Sequence, residues 1–405
     1  MKIKFENLEK ILLILTVFLV YLFNYNITNG IYKLVNVAII IFILFEFLYS
    51  IKNKKVIIYK NFYFLLFFFT VCCISILYSI STSLSIYKVK TLIVLIIFFI
   101  FLVSYILREK NNLDFILKTL IIVNIIGTIY VVISSNWLEG LRSNGIVGDA
   151  NQAGAYFAYS CTLSLYYLYF CKCSRNMKFL CIISIILSVL VNLIGGSRSA
   201  LITTIIGISF FYILKDKNSL KTIKNIIFVI ILLIVVVNLV EKIPVFYNIV
   251  GIRFKSMFEI IQGKTSSINE SSTDTRIMLI KTAYNLFSRN IFTILFGNGI
   301  GSFQEYSRIN LNFDAFSHNN YLELLSGVGL FGFISYYLFY FNIFRESLKK
   351  YFIEKSKKYA ALIAIVTQIF ISHFFVVFYY QKLEFIFLAI IAAIFIQNKE
   401  VEKNE

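Results

Sequence analysis

Apolar stretches long enough to cross a membrane recur along the whole 405-residue chain, each bounded by polar or charged residues. A helix needs about 20 mostly apolar residues to span the hydrocarbon core of a bilayer. An open sheet cannot satisfy its backbone hydrogen bonds in lipid, so we read every stretch as a helix. The sequence therefore predicts an all-α polytopic membrane protein with about twelve transmembrane helices. The predicted spans are 10–25, 34–50, 62–80, 89–107, 114–135, 152–171, 178–195, 198–214, 225–241, 320–344, 358–378 and 382–397.

The composition excludes the soluble alternatives. Hydrophobic residues make up 59% of the chain and charged residues only 15%, whereas an ordinary globular domain carries about 25% charged residues. A secreted domain behind a signal peptide is excluded because the apolar stretches continue to the C-terminus. One proline and 17 glycines leave little material for the interrupted helices of many secondary transporters.

The basic residues predict an orientation. Outside the longest loop, Lys and Arg are about four times as frequent in the segments on the side of the N-terminus as in the short opposite loops. Those opposite loops hold Lys33, Lys88, Lys90, Arg142, Arg198 and Lys382. Because cytoplasmic loops are rich in Lys and Arg, both termini are expected in the cytoplasm. The net charge of +18 then has an explanation without a nucleic acid partner.

The chain divides into four parts around one long external loop. We assign spans 1–9 to residues 1–241, the loop to 242–319, spans 10–12 to 320–397, and a cytoplasmic tail to 398–405. A loop this long usually has a structure or function of its own.

Two amphipathic helices are predicted within that loop. The first carries an apolar stripe and ends near Gly263, and the second begins after Ser272 with a stripe of its own. The stripes consist of Phe254, Met257, Phe258 and Ile261, and of Ile277, Ile280, Tyr284 and Phe287. A polar patch at 264–272 separates them. We predict that both helices lie on the membrane surface and cover a cavity.

Polar residues that could carry chemistry gather at the external ends of the predicted spans. They are Arg142, the turn Gly195–Ser199 with Arg198, Arg276 in the second loop helix, and His318 before span 10. If these ends converge, three guanidinium groups and one imidazole face one vestibule. Arginine suits bidentate recognition of phosphate, and a histidine can take a proton from a hydroxyl.

Each candidate also has a structural interpretation. Arg142 could be a solvated loop charge, Arg198 could reach lipid headgroups, and Arg276 could pair with Asp274 or a headgroup. A lone histidine such as His318 is usually structural. The glycine run 297–301 has no βαβ context, which favours a turn over a nucleotide-binding loop.

Other polar residues are weaker candidates for a functional site. His373 lies within a span and is a secondary candidate, whereas Lys118 is expected to pair with Asp114 one helical turn away. The chain has no Asp-x-Asp pair, and Cys171-x-Cys173 lacks partners for a zinc site. We predict no metal and no cofactor.

Together these motifs and the topology resemble the O-antigen ligase and O-antigen polymerase superfamily, bacterial enzymes that use sugar chains on polyprenyl pyrophosphate. Residues 148–151 look like the family's Gly-Asn-Pro-Asn element, although Asp149 and Ala150 replace its Asn-Pro. The other matching segments are Ser197–Ala200, Arg276 with the helix after it, Phe296–Phe303, Ser317–Leu322 and Gly327–Gly332.

The resemblance implies that an oligosaccharide is transferred from undecaprenyl pyrophosphate to a sugar hydroxyl, at the outer face of a bacterial cytoplasmic membrane. It implies a metal-independent and inverting reaction. Arg198 and Arg276 would stabilise the leaving pyrophosphate, and His318 would bind or deprotonate the attacking hydroxyl. The substrate-binding residues would be Arg142, Asn151, Ser197 and Asn319.

Several acceptors fit the same donor chemistry. A polymerase extends another lipid-linked repeat unit, a ligase uses lipid A–core, and related enzymes use protein. A strongly hydrophobic, AT-rich coding composition favours the polymerase. A lipid-linked sugar transporter fits less well, because it would place charges along a path through the bilayer. Expected partners are the lipid-linked oligosaccharide, an acceptor glycan, membrane lipids and a chain-length regulator protein.

Overall fold

The computed structural model describes residues 2–23, 31–53, 56–143, 149–216, 218–261 and 271–404. Gly148 and residues 263–270, on which predictions above fall, lie outside these ranges. The helices are α1 (Lys2–Phe23), α2 (Ile31–Asn53), α3 (Phe62–Ser75), α4 (Thr82–Arg108), α5 (Lys110–Ser134), α6 (Ala150–Phe170), α7 (Arg175–Ile194), α8 (Arg198–Leu214), α9 (Ser219–Lys242), α10 (Pro244–Phe246), α11 (Ile252–Ile261), α12 (Ser271–Phe287), α13 (Ile291–Phe296), α14 (Ser302–Leu311), α15 (Asn320–Phe352), α16 (Tyr359–Ser372) and α17 (Lys382–Asn404).

The all-helical prediction is confirmed for the described part of the chain, which contains no strand. Each of the twelve predicted apolar segments overlaps a helix. Within the described ranges, six helices are long and apolar enough to cross a membrane by length and composition, namely those in Lys33–Asn53, Thr82–Arg108, Asn111–Ser134, Arg175–Ile194, Ser219–Lys242 and Asn320–Phe352. The number of twelve spans stays a prediction.

Helix α6 lies at the centre of the bundle. Its side chains are buried without interruption from Ala150 to Tyr167, and it packs against α7, α8 and α16. Helix α9 is far less buried than α6. Only 11% of its most apolar stretch is buried in the protein, and it packs mainly on α8. The apolar surface of α9 is therefore available to lipid.

The ends of α6 and α8 approach closely at a glycine. A Cβ on Gly154 would lie 2.3 Å from the Cβ of Ala200 and 2.8 Å from Oδ1 of Asn192. Asn192 Nδ2 donates to the Gly154 carbonyl at 3.1 Å and to Thr204 Oγ1 at 2.7 Å. Since these contacts join three helices, they fix the connection between α7 and α8 against α6.

The glycine run after α13 packs backbone to backbone against a break in α15. Gly329 interrupts α15 with a φ of 62°, and a Cβ there would lie 2.4 Å from the Leu295 carbonyl. The N–H groups of Asn298 and Gly299 donate to the carbonyls of Ser326 and Gly327 at 2.9 and 2.8 Å. The interpretation of this run as a turn is confirmed.

The long loop contains more helix than the two predicted ones, because α13 and α14 follow α12. The face of α12 that packs on protein is Leu279, Ala283 and Leu286, in a cluster with Phe303. Ile277 and Tyr284 of the predicted stripe are exposed. Periodicity identified the helix but not which apolar face meets protein, and its location on a membrane surface stays a prediction.

Two of the residues used to predict the orientation were misplaced. Lys88 and Lys90 are not in a loop, because α4 begins at Thr82, and the Lys88 side chain is only 2% exposed. The first turn of α4 is polar, so a prediction based on the length of the apolar stretch placed the start of the helix too late. Lys90, two residues on, is exposed.

Candidate functional site

The site is built around the tight turn between α7 and α8. Helix α7 ends at Ile194 and α8 begins at Arg198, as the sequence predicts. Gly196 has a φ of 58°, and a Cβ there would lie 2.9 Å from the Ile249 carbonyl oxygen. Only glycine fits this turn without strain.

Three arginines from separate segments meet at this turn. Arg142 Nε donates to the Gly195 carbonyl at 2.8 Å, and Arg253 Nη1 donates to the Gly196 carbonyl at 3.4 Å. Arg198 Nη1 donates to the Arg253 carbonyl at 2.8 Å. The guanidinium groups of Arg142 and Arg198 are thus held in place rather than extended freely into solvent.

Arg253 is the residue that sequence reasoning missed. It lies in the second position of α11, among several basic residues of the long loop. Its sequence context offers no signal that separates it from Lys255 or Arg289. Only the fold of the loop, which returns α11 to the α7–α8 turn, identifies it.

Asn151 and Ser197 connect α6 to the same turn. Asp149 caps α6 by accepting from the N–H of Asn151 at 2.9 Å and also accepts from Asn151 Nδ2 at 2.9 Å. Ser197 Oγ donates to Asn151 Oδ1 at 2.8 Å and caps α8 by accepting from the N–H of Ala200 at 3.2 Å. Both polar side chains therefore have a structural task, and substrate binding by them stays a prediction.

Arg276 belongs to the same electrostatic cluster. Burial lowers the pKa of Arg142 to about 10, and the guanidinium groups of Arg253, Arg276 and Arg198 lower it too, whereas Asp149 opposes them. Such effects require charges that lie close together. Arg198, Arg253 and Arg276 therefore lie within electrostatic range of Arg142, which remains charged at neutral pH.

His318, in the loop before α15, lies within electrostatic range of Arg276 and Asp149. Burial lowers the pKa of His318 below its usual 6.5, Arg276 lowers it further, and Asp149 acts in the opposite direction. The imidazole is therefore neutral at pH 7 and can accept a proton. Its backbone has a φ of 52°, in the left-handed region that a non-glycine residue rarely adopts.

Asn319 has a structural role beside it. Its Oδ1 caps α15 by accepting from the N–H of Leu322 at 3.1 Å, and the residue is 8% exposed. Contact between Asn319 and a substrate stays a prediction. The cap fixes the backbone immediately after His318.

His373, the secondary candidate, lies inside the bundle and away from solvent. Its Nδ1 is 3.0 Å from the Tyr337 hydroxyl, its Nε2 is 3.5 Å from Glu384 Oε1, and its carbonyl accepts from the N–H of Asn320 at 2.8 Å. Its backbone carbonyl therefore anchors Asn320, the first residue of α15. The predicted pair of Lys118 and Asp114 is confirmed, with 2.6 Å between Nζ and Oδ2.

The arrangement can hold a multiply charged anion beside a neutral base. Four guanidinium groups come from the loop after α5, from α8, from α11 and from α12. Guanidinium groups match the oxygens of phosphate groups geometrically and electrostatically. His318, next to Arg276, is suited to take a proton from a hydroxyl near that anion.

A family model matches the middle of the chain. Residues 183–337 match the family model described as O-Antigen ligase, which confirms the resemblance to the O-antigen ligase and polymerase superfamily. The matched segment contains Arg198, Arg253, Arg276 and His318, whereas Arg142 lies before it. The match points to an activity of the O-antigen ligase or polymerase type, and the long apolar helices are those expected of a membrane protein. No curated protein matches the chain.

Proposed function

We propose that this protein is a polysaccharide polymerase that transfers an oligosaccharide from undecaprenyl pyrophosphate to a sugar hydroxyl of another lipid-linked repeat unit. The observation that carries the proposal is the convergence of Arg142, Arg198, Arg253 and Arg276 beside a neutral His318. The site lies at the outer face of a bacterial cytoplasmic membrane, with both termini in the cytoplasm. A chain-length regulator protein is a further proposed partner.

The arginines act on the leaving group. The bond between the anomeric carbon and the pyrophosphate oxygen breaks, and its electron pair leaves with the pyrophosphate. Fixed guanidinium groups stabilise the negative charge that develops on that oxygen. This supplies the charge stabilisation that many other glycosyltransferases obtain from a metal at an Asp-x-Asp pair, a pair this sequence lacks. We therefore propose a metal-independent reaction.

His318 acts on the nucleophile. The acceptor hydroxyl oxygen attacks the anomeric carbon from the side opposite the pyrophosphate, which inverts its configuration, and its proton passes to His318. One such base typically contributes about 10²–10⁴-fold to the rate. Bound pyrophosphate neutralises Arg276, which otherwise lowers the pKa of His318. Donor binding therefore makes the imidazole a stronger base at the moment it is needed.

The acceptor distinguishes the polymerase from its alternative. An O-antigen ligase with the same donor site transfers the chain to lipid A–core, and related enzymes transfer it to protein. The strongly hydrophobic composition, rich in Ile, Lys, Asn, Phe and Tyr, favours the polymerase. No intramembrane path of charges supports a transporter among the features described above.

The test is reconstitution of the purified protein with synthetic lipid-linked repeat units as the sole substrate. A polymerase produces a ladder of dimers, trimers and longer chains that EDTA does not affect. Arg276→Ala and His318→Ala abolish the ladder, whereas Arg308→Ala, an exposed arginine of α14 paired with Glu305, retains it.

Each other outcome has a defined meaning. Transfer that occurs only after lipid A–core or a protein acceptor is added identifies a ligase-type enzyme with the same donor site. A ladder of equal yield from the wild type and His318→Ala removes the assigned base. Absence of transfer under all conditions, with transport of the lipid-linked sugar across vesicles, replaces the enzyme by a transporter.

A further inference from the structure

Two buried ionisable residues, one basic and one acidic, lie beside the His318 loop and have no part in the site described so far. Lys88 comes from the second turn of α4 and Glu323 from the first turn of α15. Each is only 2% exposed. Burial of a charge is unfavourable unless it is compensated, so the pair requires an explanation.

Glu323 holds the backbone just before His318. Its Oε2 accepts from the N–H of Ser317 at 2.9 Å. Ser317 Oγ in turn donates to the Asn319 carbonyl at 2.8 Å, which spans His318 from one side to the other. The chain at His318 is therefore closed into a small hydrogen-bonded loop with a carboxylate at its base.

This loop imposes an unfavourable backbone conformation. A φ of 52° at His318 places a residue with a Cβ in the left-handed region, which is sterically unfavourable. Such a conformation persists only when its surroundings enforce it, and it is typical of functional sites. The bonds from Glu323 and Ser317 are the contacts that enforce it here.

Lys88 compensates the carboxylate and touches the same loop. Glu323 and Asp314 are the acids within electrostatic range of its ammonium group. Its Nζ lies 3.4 Å from the ring centroid of Tyr380 and 4.7 Å from that of Phe316. Phe316 immediately precedes Ser317, so Lys88 contacts the His318 loop by packing as well as by charge.

We infer that Glu323 and Lys88 are positioning residues that hold His318 in its productive place, an inference that rests on the proposed function. Glu323 fixes the loop through the Ser317 N–H, and Lys88 provides the counter-charge that lets a carboxylate occupy a buried position. Neither residue touches the substrate. A displacement of about 1 Å at a reacting group can lower a rate about 100-fold.

The test compares Glu323→Gln, Lys88→Met and the double variant. Each single variant leaves one buried charge without its partner, and we expect kcat to fall about 10–100-fold with KM nearly unchanged. The double variant keeps an oxygen that accepts from Ser317 and leaves no uncompensated buried charge, because Asp314 is exposed. We therefore expect it to recover most of the wild-type kcat. Lys90→Met, on the same helix but exposed, and Glu305→Gln are the matched controls.

A second readout does not depend on activity. The chain has two histidines, and His373 is 0% exposed, so mass spectrometry can follow diethyl pyrocarbonate labelling of His318 against an internal reference. Both single variants should label His318 several-fold faster because the loop is released, whereas the double variant and the controls should label it at the wild-type rate.

Three results would overturn the inference. One is a double variant as slow as the singles, and another is unchanged labelling of His318 in both singles. The third is a Lys88→Met variant with raised KM, unchanged kcat and unchanged labelling, which would make Lys88 a substrate-binding residue. Failure of the proposed function is distinguishable, because the wild type would then form no ladder or His318→Ala would be fully active, while the labelling of His318 in the other variants still reports on the loop.

Discussion

Arg108 and Arg142, which precede and follow α5 in the chain, have opposite surroundings. Arg108, the last residue of α4, lies between two acids, with Nη2 2.9 Å from Glu46 Oε2 and a second ion pair to Glu9. The charges that act on Arg142 include the guanidinium groups of Arg253, Arg276 and Arg198 and the carboxylate of Asp149. Arg108 lies between two acids, whereas Arg142 lies among other cations.

The difference separates a structural role from a binding role for the same residue type. A guanidinium enclosed by two buried carboxylates joins α1, α2 and α4 and has no need of a ligand. A group of guanidinium groups that lower one another's affinity for protons gains energy when an anion arrives. Removal of Arg108 should therefore affect folding, whereas removal of Arg276 should affect turnover.

The largest expected effect is on the cationic cluster. Arg276→Ala should lower kcat/KM for the lipid-linked donor about 10²–10³-fold, since one fixed stabilising group of the transition state is lost. Thermal unfolding in detergent should stay close to that of the wild type because Arg276 is half-buried at the end of the bundle. Arg308→Ala is the control for loss of an arginine near the same face.

The cluster of Arg108, Glu9 and Glu46 should affect stability rather than turnover. Arg108→Ala leaves Glu9 and Glu46 buried without a cation, and should lower the free energy of unfolding by about 3–5 kcal/mol. Equilibrium unfolding measures this loss, and activity per folded molecule should be retained. An Arg108→Ala variant of unchanged stability but lost activity would break the comparison.

The glycine contacts should show a smaller effect on stability. Gly329→Ala should destabilise the protein by about 2–4 kcal/mol, through left-handed backbone strain and a forced shift of α15 away from Leu295. Gly140→Ala is the matched control, because Gly140 also has a positive φ but its nearest neighbours lie 3.6 Å away. There we expect only the strain, about 1–2 kcal/mol. Equal losses in the two variants would show that the close approach at Gly329 contributes nothing.

The smallest expected effect is a shift of the pH profile. His318 must be neutral to accept a proton, so kcat/KM should fall with acid only below pH 6.5, where its lowered pKa lies. Arg276→Gln removes a cause of that lowering and should move the acid limb to higher pH. Asp149→Asn removes the opposing charge and should move it to lower pH. If the acid limbs of Arg276→Gln and Asp149→Asn moved in the same direction, the assignment of His318 as the base would be contradicted.

Much of the fold was accessible from the sequence because length and hydropathy suffice to identify helices in lipid. The tight turn at Gly195–Ser199, the glycine run and the pair of Lys118 and Asp114 were local features, and local residues determined them. Arg142, Arg198, Arg276 and His318 were found because their side chains suit phosphate and proton chemistry and lie at span ends.

The remainder depended on contacts between distant segments. Arg253 reaches the site because the long loop folds back onto the α7–α8 turn, which no local pattern encodes. Lys88 and Glu323 lie 235 positions apart in the chain, and each alone resembles an ordinary charge at a helix end. The structural tasks of Asn151, Ser197 and Asn319 likewise appear only when their partners are known.

The most direct test of the cationic site is the binding of undecaprenyl pyrophosphate to the protein in lipid nanodiscs. The wild type and Arg108→Ala, where folded, should bind it with similar affinity, and Arg276→Ala should bind it at least about tenfold more weakly because a charge-assisted contact to phosphate is lost. Equal binding by all three proteins would contradict the assignment of the arginine cluster to the pyrophosphate.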